Sequence, residues 1–271
     1  MRKVRLWVGI SVSAAMVAVG GGAATAALTA SAPPALRCTG TFASPGRIAS
    51  GTYSSITVAG YCLVPRVGTI AVTGPLAVAA GGELSALSGE QILVGGNLTV
   101  QRNGVLLLGC YGKATPLPSC KIRGNYWISN NDIRGNLTAT DALGVVVHGA
   151  VVEGSLTVTG GGGGATATHC APSNKFLGNP VYTDFEDNTV AGSLSVTGLT
   201  SCYFGLFRNF VSGTMTVKNN TMGDPDGNEV ASNGILGNLS CSGNSPKTQI
   251  GDSGGSKNAV AGTKSGQCSA L

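Results

Sequence analysis

The sequence predicts an all-β chain wound into a right-handed, single-stranded parallel β-helix of about nine rungs, three strands per turn, pinned by disulfides. Three observations carry this. The pattern Asn-x-Val/Ile-x-Gly returns four times between Asn188 and Cys268, at spacings of 21 to 25 residues, beginning at Asn188, Asn209, Asn233 and Asn258. Each of the first three copies runs into a strand with one apolar residue two past the glycine and another four past it, as in Ser193-Leu-Ser-Val, Thr214-Met-Thr-Val and Asn238-Leu-Ser-Cys. That is a period of two with one face inward. No helical pattern separates the copies, and a strand recurring at such intervals marks a solenoid.

The composition agrees: 43 glycines among 271 residues, 5% aromatics and 11% charged residues are a poor basis for helices. At the N-terminus, Arg2, Lys3 and Arg5 precede an apolar run from Leu6 to Val19 and a small-residue end at Ala24-Thr-Ala26. Residues 1–26 therefore read as a secretory signal peptide, with a cut after Ala32 as one alternative and an uncleaved anchor as another. Residues 27–37 are expected to be a flexible segment, and 38–271 the coil. Of the formal charge of +5, three cations belong to the leader, which leaves +2 and no basis for a nucleic-acid partner.

Eight cysteines remain: Cys38, Cys62, Cys110, Cys120, Cys170, Cys202, Cys241 and Cys268. An even number in an exported chain, with no C-x-x-C, predicts disulfides rather than zinc. Because a solenoid contacts mainly its neighbouring turns, sequential pairing is expected: 38 with 62, 110 with 120, 170 with 202, 241 with 268.

Read backwards from the C-terminal rungs, the strand motif recurs at Gly154-Ser-Leu-Thr-Val158, Gly135-Asn-Leu-Thr-Ala139 and Gly96-Asn-Leu-Thr-Val100, then more weakly at Gly74-Pro-Leu-Ala-Val78 and Ser54-Ser-Ile-Thr-Val58. The intervals are 20, 22, 39, 19, 38, 21, 24 and 25 residues. The two double intervals are read as excursions near 109–130 and 160–187. The compact apolar runs Gly104–Leu108 and Gly144–His148 supply another face of the coil. Cys38–Cys62 would close the first turn. At the far end Lys264 takes the place of the inward leucine, and Cys268 tethers back to Cys241 as a cap against edge pairing.

With Asn131 before them, Asn188, Asn209, Asn233 and Asn258 are expected to form a structural ladder of side-chain amides. At this point the chain resembles the right-handed parallel β-helix proteins of the pectin-lyase-like class. More narrowly, it resembles secreted bacterial proteins that share the Gly-Asn-Leu-Thr rungs and the Asp-Pro-Asp-Gly-Asn-Glu segment. The resemblance implies the fold, and fold does not fix function.

Chemistry is sought in three places. Gly251-Asp-Ser-Gly-Gly255 and His169-Cys170 look like the serine and histidine segments of trypsin-like proteases, yet the order and surroundings are wrong, and the first is read as the same turn as Gly223-Asp-Pro-Asp-Gly227 one rung later. Asp184, Glu186 and Asp187, with Asp224, Asp226 and Glu229, form two acidic patches. Carboxylate pairs of this kind cleave polysaccharides in hydrolases and bind calcium in lyases of the class. Calcium is the one cofactor considered, and position twelve of the Asp224 loop is Ile235 instead of the needed Glu. Ranks of hydroxyls at Thr138, Thr140, Thr157, Thr159, Ser195 and Thr197 offer a third face, for ice or a glycan. His148 reads as a turn or surface histidine, and the sequons at Asn97, Asn136, Asn219 and Asn238 as incidental.

The expected function is a secreted, non-catalytic structural or binding module of the cell envelope or extracellular space. Its partner would be a polysaccharide or envelope component, and the chain a monomer. A polysaccharide lyase or hydrolase is the alternative, favoured if carboxylates from adjacent turns converge in a groove with Lys or Arg.

Overall fold

In a computed structural model, residues 31–87, 91–110, 120–123, 126–171, 181–251 and 253–271 are described, with side chains left out over 120–127. The expected leader, 1–26, lies outside them. Residues Pro33–Leu271 form one compact unit. It is a parallel solenoid of about nine turns with no helix among the described residues, its three strands per turn stacking into sheets of ten, eight and nine strands.

The first sheet runs from Ala35–Cys38 through Leu98–Val100, Leu137–Thr140, Leu156–Thr159 and Leu194–Thr197 to Lys264–Gly266. Its register stacks one inward file, Leu36, Ile56, Leu76, Leu98, Leu137, Leu156, Leu194, Met215, Leu239 and Lys264. The parallel file two residues on is Cys38, Val58, Val78, Val100, Ala139, Val158, Val196, Val217, Cys241 and Gly266. Nearly every member is fully buried. Burying one such leucine contributes about 1.5–3 kcal/mol, so repetition of the file is the main cohesion of the rod.

The cysteines sit where these files end. Cys38 bonds to Cys62, and Cys241 to Cys268, in each case between core positions of the first and last turns. Cys170 bonds to Cys202. Cys110 is disulfide-bonded as well, and its expected partner Cys120 lies where no side chains are described. The three bridges described in full, between residues far apart in the chain, suit folding in an oxidising compartment. At the last turn the Lys264 ammonium leaves the core file to donate to the carbonyls of Asn258, at 2.7 Å, and Leu271, at 2.5 Å.

The motif glycines have a steric cause. Gly96, Gly135, Gly154, Gly192, Gly213, Gly237 and Gly262 stack, the N–H of each donating to the carbonyl of the one before. A Cβ on Gly135 would lie 2.6 Å from the Gly96 carbonyl oxygen and 2.4 Å from the Asn97 amide oxygen, and the contacts repeat up the column.

Between the second and third sheets, the ladder of asparagines forms. Asn188 donates through N and Nδ2 to Asn209 Oδ1, Asn209 likewise to Asn233, and Asn233 to Asn258, all at 2.9–3.1 Å. Asn131 stands in the same file but is cut off from it by Ala150, whose N–H donates to Asn188. A second ladder, Asn220 to Asn244 to Gln267, lines the turn after the first sheet. Both follow a column of residues at positive φ, such as Asp187, Arg208 and Ser232 for the first and Gly198, Asn219 and Gly243 for the second.

Two boundaries differ from expectation. Ala35–Cys38 already pairs with Ser55–Val58, so the coil begins inside the segment expected to be flexible. Tyr182–Glu186 is a full strand of the second sheet, so the second excursion ends before 182. Neither double interval conceals a rung, because Leu98 pairs directly with Leu137 and Leu156 with Leu194. The first excursion holds an antiparallel hairpin, Cys120–Arg123 with Tyr126–Ser129.

A candidate ligand cleft on the second sheet

On the outer face of the second sheet, one file reads Ser85, Leu107, Val146, Asp184, Gly205, Glu229, and the next reads Leu87, Gly109, His148, Glu186, Phe207, Ala231. The early turns of this face are apolar, with Val105, Leu107, Val146 and Tyr182 packed as a separate cluster. From Asp184 onward the face becomes polar. Here a cavity of about 820 Å3 opens, bordered by Asp184, Glu186, Tyr203, Phe207, Arg208 and Ser253, with the Cys170–Cys202 disulfide along another wall. That is within the roughly 300–1,000 Å3 range of ligand pockets.

Gly205 lets the lining groups approach one another. It stands between Asp184 and Glu229 in their file, and a Cβ there would lie 2.4 Å from the Phe207 ring, 2.7 Å from Asp184 Oδ1 and 3.1 Å from the Tyr203 hydroxyl. Because the position carries no side chain, groups from its own turn and the preceding one close over it.

His148 is buried, not on the surface, and is 6% exposed. Its Nδ1 lies 2.9 Å from the Cys110 carbonyl oxygen and its Nε2 3.0 Å from Asp184 Oδ2. A carbonyl can only accept, so Nδ1 donates, and a proton must also lie between Nε2 and the carboxylate. Burial pushes the imidazole toward its neutral form, but the hydrogen bond and charge of Asp184 and the charge of Glu186 outweigh it and hold the histidine above its ordinary value.

Glu186 is held above the usual carboxylate range by burial first and by Asp184 second, against the pull of His148 and Arg208. Arg208 closes the end of the cleft. Its Nη2 donates to Glu186 Oε2 at 2.5 Å, and its Nε and Nη2 donate to the two oxygens of Asp187 at 2.7 and 3.1 Å. Arg208 and Asp187 are the positive-φ residues of neighbouring turns, which sets one side chain over the other.

Glu229 is fully buried. Its Oε2 accepts from the Tyr203 and Ser253 hydroxyls, each at 2.5 Å, and its Oε1 has no hydrogen-bond partner. Burial and the adjacent carboxylate push the Tyr203 phenol upward, so it keeps its proton.

The structure thus brings together most of the acidic residues singled out from the sequence: Glu186 and Asp187 on Arg208, Asp184 on His148, and Glu229 two turns from Asp184 in the same file. Asp224 borders the same cavity. Asp226 does not. It is exposed, and its N–H donates to Asp224 Oδ1 in a local turn. Ser253 faces a carboxylate where a protease serine would face an imidazole, and no barrel surrounds it. The expected equivalence of Gly251–Gly255 with Gly223–Gly227 fails, because Glu229 bridges to Gln249. That register puts Gly251 beside the end of the second-sheet strand, whereas Gly223 precedes that strand.

The hydroxyl ranks are real as geometry. Thr138, Thr157 and Ser195 are register neighbours, as are Thr140, Thr159 and Thr197, all on the outer face of the first sheet.

Sequence reasoning missed His148, Tyr203 and Arg208. A count would have found two of the cleft's files. His148, Glu186 and Phe207 each stand eight residues before a core Leu or Met, and Val146, Asp184, Gly205 and Glu229 each stand ten before one. Compared with family models, curated proteins and solved structures, the chain matches none.

Proposed function

We propose that the protein is an exported, pectin-lyase-like β-solenoid that binds an extracellular polysaccharide in this cleft. The observation supporting it most directly is the composition of the cavity: the Tyr203 and Phe207 rings beside Asp184, Glu186, Arg208 and Ser253. Apolar ring faces suit the C–H faces of sugars. Carboxylates and a guanidinium, held in place by their own bonds, suit ring hydroxyls at little ordering cost. The coil contributes rigidity, and the disulfides suit an extracellular setting.

Isothermal calorimetry and glycan arrays with neutral and acidic polysaccharides test the reading. Binding that Phe207→Ala weakens by about tenfold or more supports it. Absence of binding across both panels, or binding indifferent to Phe207→Ala, removes it.

A second reading, cleavage, is favoured by one observation. Glu186 holds its proton more tightly than an ordinary carboxylic acid and stands beside Asp184 on one strand. In that reading Glu186 protonates the glycosidic oxygen and a neighbouring carboxylate stays ionised. New reducing ends or unsaturated products, abolished by Glu186→Gln, would establish it; their absence leaves binding alone.

A further inference from the structure

His148, Asp184 and Glu186 converge on one point from two neighbouring turns, and one ligand atom from each lies within 4.8 Å of the other two. Three features of this cluster go beyond a set of adjacent acids. First, the His148 ring is fixed by donation from Nδ1 to the Cys110 carbonyl, which leaves Nε2 facing the two carboxylates. Metal-binding histidines are oriented in this way, by a hydrogen bond from the nitrogen that does not ligate. Second, Asp184 is only 6% exposed, yet its Oδ1 has no hydrogen-bond partner. A buried acceptor ordinarily has a partner, and among the described residues no donor meets this one. Third, Arg208 engages Oε2 of Glu186, leaving the other oxygen to turn toward Asp184.

We propose that this triad is the binding site of a divalent transition-metal ion of the zinc or manganese class. The ion is held by His148 Nε2 and one oxygen each from Asp184 and Glu186, with its remaining positions open to the cavity. The donor set argues for that class. Imidazole nitrogen suits zinc and its neighbours, whereas calcium takes six to eight oxygens and magnesium keeps its waters. Three protein donors with an open side match the coordination of zinc sites that take a ligand. The Nε2 to Oδ2 distance of 3.0 Å is close to the edge of a tetrahedron with bonds of ~2.0–2.1 Å, roughly 3.4 Å, so small side-chain rotations complete the shell. The surroundings favour a cation too, since three carboxylates, Asp184, Glu186 and Asp187, are bonded to one guanidinium and one imidazole.

The ion replaces the proton lying between Nε2 and Oδ2, and that proton leaves to solvent. At least that proton is therefore released for each ion bound, and any proton on Glu186 leaves with it. This site stands independently of the glycan reading. If it is loaded, Glu186 cannot also serve as a proton donor, so the ion and the cleavage reading exclude each other.

The test uses the full secreted chain stripped with chelator. Isothermal calorimetry with zinc, manganese and calcium chlorides, in two buffers of different ionisation enthalpy, gives stoichiometry, affinity and proton release together. One zinc or manganese ion per chain, tighter than calcium, with at least one proton released, is expected. Glu186→Gln, at a partly exposed position that tolerates a neutral isostere, should weaken it by ~10–100-fold. Cobalt substituted at the site should show the visible absorption of a nitrogen–oxygen ligand field and lose it in His148→Gln; a circular-dichroism check that this variant is folded makes that loss meaningful. No binding at millimolar zinc by the folded wild-type chain overturns the proposal. So does binding without proton release, or binding unaffected by Glu186→Gln. Zinc binding with no glycan binding would leave the metal site standing and remove the proposed function, and the reverse result would do the opposite.

Discussion

The Glu229 carboxyl group occupies the space in which a side chain on Gly251 would lie, and Gly251 has φ of +72°. The Gly-Asp-Ser-Gly-Gly run is thus shaped by a buried acid from the preceding turn, not by the needs of a nucleophile. Gly251→Ala should pay twice: about 1–2 kcal/mol for a left-handed alanine, and more for displacing Glu229 from the Tyr203 and Ser253 hydroxyls. Gly254→Ala is the control. Its φ is +74° and an added Cβ meets nothing within 4 Å, so only the conformational cost applies. Thermal unfolding midpoints of the two variants should separate clearly; equal losses would show that Glu229 yields without cost.

The asparagine ladder invites a graded comparison. Asn209 accepts from Asn188 N and Nδ2 and donates to Phe185 O and Asn233 Oδ1, all in the interior. Asn209→Ala leaves several buried groups unpaired at about 1–3 kcal/mol each, so a loss of ~2–4 kcal/mol is expected. Asn238 accepts from Thr263 N and Oγ1 at the surface, where water can substitute. Asn238→Ala should cost less than about 1 kcal/mol. Chemical denaturation followed by circular dichroism measures both, and an Asn209→Ala loss no greater than that of Asn238→Ala would mean the ladder carries little.

What was legible in the sequence was whatever repeats. Leu98, Leu137, Leu156 and Leu194 announce themselves because every turn must fill the same space, and the motif glycines because every turn brings the backbone equally close. The cleft was legible only in part, because its members are set by register and not by local pattern. Asp184 and Glu186 were noticed as neighbours in sequence. Tyr203, Arg208 and Glu229 join them from later turns, and His148 from an earlier one, through offsets that can be assigned only after the length of each excursion is known. Asn131 failed for a related reason, since a ladder needs an amide in every consecutive turn and Ala150 breaks it.

The disulfides at the two ends should act as end clamps. Cys38–Cys62 and Cys241–Cys268 close loops of 24 and 27 residues between core positions of terminal turns. Each contributes on the order of 3 kcal/mol by restricting the unfolded chain. Terminal turns have one neighbouring turn instead of two, so replacing Cys241 and Cys268 together by alanine should let the last turn open before the rest. Hydrogen exchange should show protection lost in Lys264–Gly266 and retained in Leu156–Thr159. Uniform loss across both strands would show that the coil unfolds as one unit. Peptide mapping of the unreduced protein should recover the 38–62, 170–202 and 241–268 links.

The pH dependence of stability follows from the raised affinity of Glu186 for its proton. A group whose value in the folded chain lies above the unfolded value stabilises fully below the unfolded one, here near 4.5, and that stability is lost as pH rises through the folded value. His148, also raised, acts in the same sense at higher pH, from its ordinary 6.5 upward. Glutamine at 186 mimics the protonated acid and does not titrate. In chelator, with salt held constant, Glu186→Gln should therefore gain stability relative to wild type as pH rises from about 4.5, and the difference should level off once Glu186 is ionised. Titration of the other carboxylates is common to both proteins and cancels in the comparison. A difference that stays flat, or one in which wild type gains as pH rises, would mean that the Arg208 guanidinium outweighs burial and the Asp184 charge, and that Glu186 is an ordinary ion-pair acid.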